Sequence, residues 1–192
     1  MNQSILSPQQ RRALWPQLMA ILSARWRSAD GKYNVGIEKE QLHEVIKEYD
    51  EHLPFEIVLE EFASYLLDLG IILVEYQMDT TRFYCLRTAQ ARPNELGTEE
   101  QAVLGTIIQF VESKKERGEG ERSEIELNLL ENRLVKGKYM SKNALNKYLR
   151  ELETAGFIQR TRNKVKYGPR TFVELDERSR KEITEQVRKL IP

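Results

Sequence analysis

Cysteine is nearly absent from this sequence of 192 residues, and histidine and tryptophan occur twice each. A single thiol, Cys85, closes no internal disulfide, and with two scattered imidazoles it builds no tetrahedral zinc site of the usual kind. A reducing compartment is therefore expected. No uninterrupted apolar run approaches the roughly 18 residues of a spanning helix, so no membrane insertion is expected. The opening Met1-Asn-Gln-Ser-Ile-Leu-Ser7 lacks a basic flank followed by a long apolar core, so no secretory signal is read there either. There is no glycine-rich phosphate loop and no G-x-S-x-G elbow. His43 and His52 lack the Cys or carboxylate arrangement that activates a nucleophile, and each is expected to be structural or exposed. Neither catalysis nor a cofactor is expected.

What is present is amphipathic helix, short strand and unevenly placed charge. Ser7-Pro8-Gln9-Gln10 has a cap residue, a first-turn proline and a glutamine three residues after the serine, the signature of a helix start. Leu14, Leu18, Ile21, Leu22 and Trp26 recur near the helical period, which predicts a helix ending around Asp30-Gly31, started late or kinked by Pro16. A second helix is read from Glu38 to Asp50 on Leu42, Val45, Ile46 and Tyr49. Pro54 opens a third, with Ile57, Val58, Phe62, Leu66 and Leu69 facing inward and Gly70 as a left-handed cap. Ile71 to Tyr76 and Arg82 to Arg87 then pair as a hairpin, with Cys85 buried in its strand.

The stretch around Pro93, Asn94 and Gly97 reads as a linker. The same order of elements then begins again. Thr98-Glu-Glu-Gln101 and Ser123-Glu-Ile-Glu126 are read as capping boxes, each opening a helix, with a charged loop from Lys114 to Arg122 between them. A helix from Ser141 to Ala155, a glycine, a strand from Phe157, a basic hairpin, a second apolar strand after Tyr167-Gly-Pro-Arg170 and a final amphipathic helix complete the second half. The expected fold is mainly α with short β hairpins (α+β): tandem winged helices over residues 1–88 and 98–192, joined by 89–97. The repeat is one of topology and not of sequence.

Formal charge cancels over the whole chain, at 30 basic and 30 acidic residues, yet it is segregated. From Lys136 to Arg170 there are ten Lys or Arg against two Glu; between Glu40 and Glu61 there are eight acidic groups and one lysine. The first distribution suits a polyanion and the second repels one. Lys138, Lys142, Lys147, Arg150, Arg160, Arg162, Lys164 and Lys166 are the candidate DNA contacts. The last four, at alternate positions, are expected to form one cationic ridge along a wing together with Arg170. Asn143 and Asn146 could read adenine, but Glu151 and Glu153 nearby repel phosphate, so sequence-specific readout is not expected.

The residues also resemble a known family, the MAGE homology domain. Leu42-His-Glu-Val-Ile-Lys-Glu-Tyr49 followed by Leu53-Pro54 is similar to its second helix, Leu69-Gly-Ile71 to its entry into the first wing and Tyr84-x-Leu86 to the wing's close. Lys147-Tyr-Leu149 and Tyr167-Gly-Pro-Arg170 are similar to its Lys-Tyr-Leu and Trp-Gly-Pro-Arg. The resemblance implies a tandem winged-helix, kite-like subunit of an SMC complex that binds a kleisin, a RING-finger subunit and double-stranded DNA. Such subunits pair as homodimers or heterodimers with another winged-helix subunit. The family's leucine pair on the first helix, a RING contact, has its nearest match in Ile21-Leu22. The setting implied is intracellular: nucleoid-associated cytoplasm in a prokaryote, the nucleus in a eukaryote. Two alternatives stay open, a tandem winged-helix transcriptional regulator and a ubiquitin-ligase adaptor without DNA contact.

Overall fold

The computed structural model describes residues 5–27, 31–88, 95–118 and 123–190. The linker residues 89–94 and loop residues 119–122 lie outside that set. Contacts divide the chain into two units, residues 1–26 with 35–92 and residues 27–34 with 93–192.

Helix α1 (Pro8–Leu22) starts on the expected box: the Ser7 hydroxyl accepts from the Gln10 amide, and the Gln10 side chain accepts from the Ser7 amide. Pro16 sits inside the helix without ending it. The helix does stop earlier than its periodicity implies. Leu22 is its last core residue, and the chain continues as β1 (Arg25–Arg27), paired with β2 (Tyr33–Val35), which leaves Trp26 half exposed. Next come β3 (Ile37–Glu38), α2 (Lys39–Tyr49), α3 (Phe55–Asp68), β4 (Ile71–Met78) and β5 (Thr81–Thr88). The sheet order is β3-β5-β4, all antiparallel, with Ile37 opposite Tyr84 and Val74 opposite Cys85. Gly36 lets β3 approach: it has a positive φ, and a Cβ there would collide with the Tyr84 carbonyl. Gly70 takes the left-handed φ expected of it.

The core of this unit joins Leu14, Leu18 and Leu22 to Leu42, Ile46, Val58, Phe62 and Leu66, with Tyr84 and Leu86 from the sheet. Two expected core residues are outside it. Ile57 lies about 100° around α3 from Val58 and is 43% exposed, while Leu69 follows the last helical residue and is 51% exposed. Phe55 and Leu59 face inward instead.

The second unit runs α4 (Thr98–Glu116), β6 (Glu124–Glu126), α5 (Leu127–Leu130) and a π-wound turn, Glu131–Lys136. It continues with α6 (Lys142–Thr154), β7 (Ile158–Arg160), β8 (Lys164–Tyr167), α7 (Pro169–Glu174) and α8 (Glu177–Leu190). Its sheet order, β6-β8-β7, repeats that of the first unit: first strand, third strand, second strand. Each unit is a winged helix. Four sequence expectations need correction. Gly97 and not Thr98 is the cap of α4, and the Gln101 side chain donates to the Leu96 carbonyl. Glu124–Glu126 is a strand and not a capping box, because Ile125 pairs with Val165 in the core while its neighbours face lysines. The residues after Gly168 form a helix and not a strand, since Pro169 occupies its first turn. Lys114 to Glu116, read as loop, complete α4.

The final helix α8 lies on α4 where Gly105 removes a side chain; a Cβ there would stand 3.1 Å from Val187 Cγ2 and 3.7 Å from Ile183 Cγ2. Among the described residues no helix is long and apolar enough to cross a membrane.

Candidate nucleic-acid and partner surfaces

Helix α6 is built for one buried and one wet face. Ser141 caps it, its hydroxyl accepting from the Ala144 amide at 3.2 Å, and Leu145, Leu149 and Leu152 enter the core. At helical spacing this leaves Asn143, Lys147 and Arg150 on the exposed stripe. The turn before it is held by backbone hydrogen bonds. Lys138 donates to the Val135 carbonyl, and Tyr139 and Met140 both donate to the Leu134 carbonyl. Lys138 takes a left-handed φ of 63°, and the Tyr139 ring, 55% exposed, lies over Gly137, where a Cβ would collide with it. Lys142 pairs with Glu131 at 3.0 Å, and Lys147 loosely with Glu151 at 3.8 Å. Among the described residues Lys136, Lys138 and Arg150 have no carboxylate partner.

The wing differs from the single ridge expected. Its strands are three and four residues long, with Arg160 opposite Val165 and Gln159 opposite Lys166. Arg160 is therefore on the core-facing side of the ladder with Val165, and Lys164 and Lys166 are on the other, because the turn after Arg160 interrupts the alternation between the two strands. Each is engaged by the fold. The Arg160 Nε donates to Glu153 at 2.8 Å, and its amide to the same carboxylate at 3.1 Å. Lys164 meets Glu124 at 2.7 Å and Glu126 at 3.8 Å; Lys166 stands across the ladder from Glu124. Arg162, at the exposed tip, has no carboxylate partner among the described residues.

Tyr167-Gly-Pro-Arg170 is structural. Arg170 lies 4.4 Å above the Phe157 ring, bonded to Glu174, Glu95 and the Ala155 carbonyl. Tyr167 is buried, its hydroxyl donating to Glu112 at 2.9 Å, and Arg180 from α8 donates to the same carboxylate at 3.2 Å. Burial, followed by the neighbouring Glu112 charge, holds the Tyr167 phenol well above the usual tyrosine range.

The first unit presents carboxylates and an apolar groove. Glu44 and Glu56 pair with Lys47 and Lys39 at exposed sites, where such pairs contribute little. His43 packs edge-on to Phe55, and His52 is exposed beside Glu51. Between α1 and α3 an open groove of about 1140 Å³ has Trp15, Pro16, Ile57 and Tyr65 along it, Arg11 and Arg12 on one wall and Glu60, Glu61 and Asp68 on the other. Sequence reading missed this groove because Ile57 and Tyr65 have the same helical spacing as core residues. The leucine-pair reading of Ile21-Leu22 is corrected for Leu22, which is fully buried among Leu18, Leu42 and Ile46; Ile21 is half-buried and alone of the two reaches the surface.

No protein-family model matches the sequence, and no curated protein matches it. In fold the chain is similar to a chain of the solved structure "Nse1-Nse3-Nse4 complex", at a TM-score of 0.55 and 12% identity. The likeness covers 96% of this chain and 78% of that one. At this identity it shows an architecture shared over nearly the whole length.

Proposed function

We propose that this protein is a non-enzymatic, MAGE-like subunit of an SMC-type chromosome-maintenance and DNA-repair complex. Its first unit takes protein partners, and its second lies on double-stranded DNA without reading sequence. The observation that carries this reading is the separation of charge between two winged helices of identical strand order. The likeness to a chain of a multi-protein assembly supports it, as do the ordered MAGE-like residues.

A kleisin segment is the proposed occupant of the α1–α3 groove, as an amphipathic stretch whose apolar side covers Ile57 and Tyr65. Basic residues along that segment would face Glu60 and Asp68, carboxylates with no ion partner among the described residues. A RING-finger subunit or a second winged-helix subunit belongs to the same proposal, through surfaces other than Ile21-Leu22. The nucleus, or the nucleoid of a prokaryote, is the corresponding location. A second reading, an adaptor of a ubiquitin ligase without DNA contact, draws on the ion pairs along the wing.

A pull-down with the kleisin fragment encoded in the same genome, together with a salt titration of binding to random-sequence duplex DNA, tests the proposal. Retention of the kleisin, with DNA affinity falling steeply between about 50 and 200 mM salt, is expected. Strong binding to one palindromic operator with no kleisin retention would mark a transcriptional regulator.

A further inference from the structure

Resting on the reading of the second unit as the DNA-contacting half, we infer that the duplex is met by the turn before α6 and the exposed stripe of that helix, while the wing contributes Arg162 alone. The residues concerned are Lys136, Lys138, Tyr139, Lys147 and Arg150. Sequence spacing divides the eight candidate contacts evenly, four on the turn and helix α6 and four on the wing.

A cation contributes to phosphate binding by releasing counterions that it would otherwise not have displaced. A cation already held by a carboxylate must first give up that partner. On the wing, Arg160, Lys164 and Lys166 face Glu153, Glu124 and Glu126, so three of four cations are matched within the fold. Arg160 is the most committed, with two nitrogens and its own amide on Glu153 and its side chain 26% exposed. The turn and helix have the opposite character. Lys136, Lys138 and Arg150 are exposed and unmatched among the described residues, and Lys147 is 66% exposed at a loose 3.8 Å from Glu151.

Geometry agrees with charge. Three backbone hydrogen bonds fix the turn, so Lys138 and Tyr139 are presented without ordering a loop on binding. Lys138 occupies a left-handed conformation that suits glycine better than lysine, and local stability alone would favour glycine there. Tyr139 is exposed on the same turn, with its hydroxyl free to donate to a phosphate oxygen.

The test is the salt dependence of full-length protein binding to a random-sequence DNA duplex, followed by fluorescence anisotropy. Lys136→Glu with Lys138→Glu is expected to weaken binding about tenfold or more at 100 mM salt. Lys138→Gly removes one charge and relieves the left-handed residue. It is expected to reduce the slope of log affinity against log salt by about one while leaving the thermal midpoint unchanged or raised. Lys164→Gln is expected to change affinity by less than about twofold, and Arg162→Gln to reduce the slope by about one. Tyr139→Phe should weaken binding by a few-fold at most with the slope unchanged. If Lys164→Gln weakens binding as much as the double reversal on the turn, the contact runs along the wing and the inference is overturned. If the unaltered protein shows no salt-sensitive binding to duplex at about 50 mM salt, the DNA reading itself fails, and this inference with it.

Discussion

The two winged helices share an element order and a strand order, yet they differ in what they bury and what they display. The first has a long wing, two eight-residue strands paired over their full length, and its core cluster holds no charged side chain. The second has a wing of three and four residues and a charged cluster in its interior, Glu112 with Tyr167 and Arg180. Topology follows from where apolar residues recur, and it leaves surface charge free to vary. One fold can thus present an apolar groove with carboxylates along one wall in one copy and a cationic turn in the other.

Five substitutions or conditions break or sharpen that comparison. Both tryptophans, Trp15 and Trp26, belong to the first unit, so intrinsic fluorescence follows that unit and far-ultraviolet dichroism follows both. Phe62→Ala, beside Trp15 at 5.0 Å, should cost about 3–5 kcal/mol and lower the fluorescence midpoint in denaturant. Glu112→Ala should remove about 3 kcal/mol from the second unit, since it strands Arg180, 11% exposed, without its carboxylate. Its loss should show in dichroism with the fluorescence transition unmoved.

Alkaline pH acts on the first unit through Cys85. Burial pushes this thiol up to about 11, so the folded unit keeps its proton in a range where the unfolded chain, ionising near 9, releases it. The contribution is complete below about pH 9 and lost as pH rises toward 11, roughly 2 kcal/mol in all. Cys85→Ala should flatten that part of the stability profile. Ser141→Ala removes the cap of α6 and should cost the second unit about 1 kcal/mol by dichroism in urea. Arg150→Gln, on the exposed stripe of the same helix, should stay within about 0.5 kcal/mol of the parent, so any change in DNA binding there reports on contact and not on folding.

Much of this fold was legible in the sequence, where a signal is local. The cap at Ser7, the helix expected from Ser141, the left-handed Gly70 and the hairpin from Ile71 to Arg87 are local signals, and each stands where the sequence puts it. Strands β3 and β6 were not legible, because two or three residues carry no period; only pairing with β5 and β8 makes them strands. Leu22 and Ile57 show the same limit from opposite sides. Both lie on apolar helical patterns, and only the packing of α1 against α3 puts the first in the core and the second on the groove. On the wing, the basic alternation was visible but its pairing was not: Glu124 lies forty residues before Lys164, and Glu153, though only seven before Arg160, is turned onto it by the fold.

The central claim is a division of labour: protein on the first unit, DNA on the second. Anisotropy of a labelled random duplex, titrated with the full chain in the presence and absence of saturating kleisin fragment, tests it most directly. The account predicts that both bind at once, that kleisin changes DNA affinity by less than about twofold, and that Lys136→Glu with Lys138→Glu weakens DNA about tenfold while kleisin binding holds. Mutual exclusion of kleisin and DNA, or loss of kleisin binding in the turn variant, would contradict it.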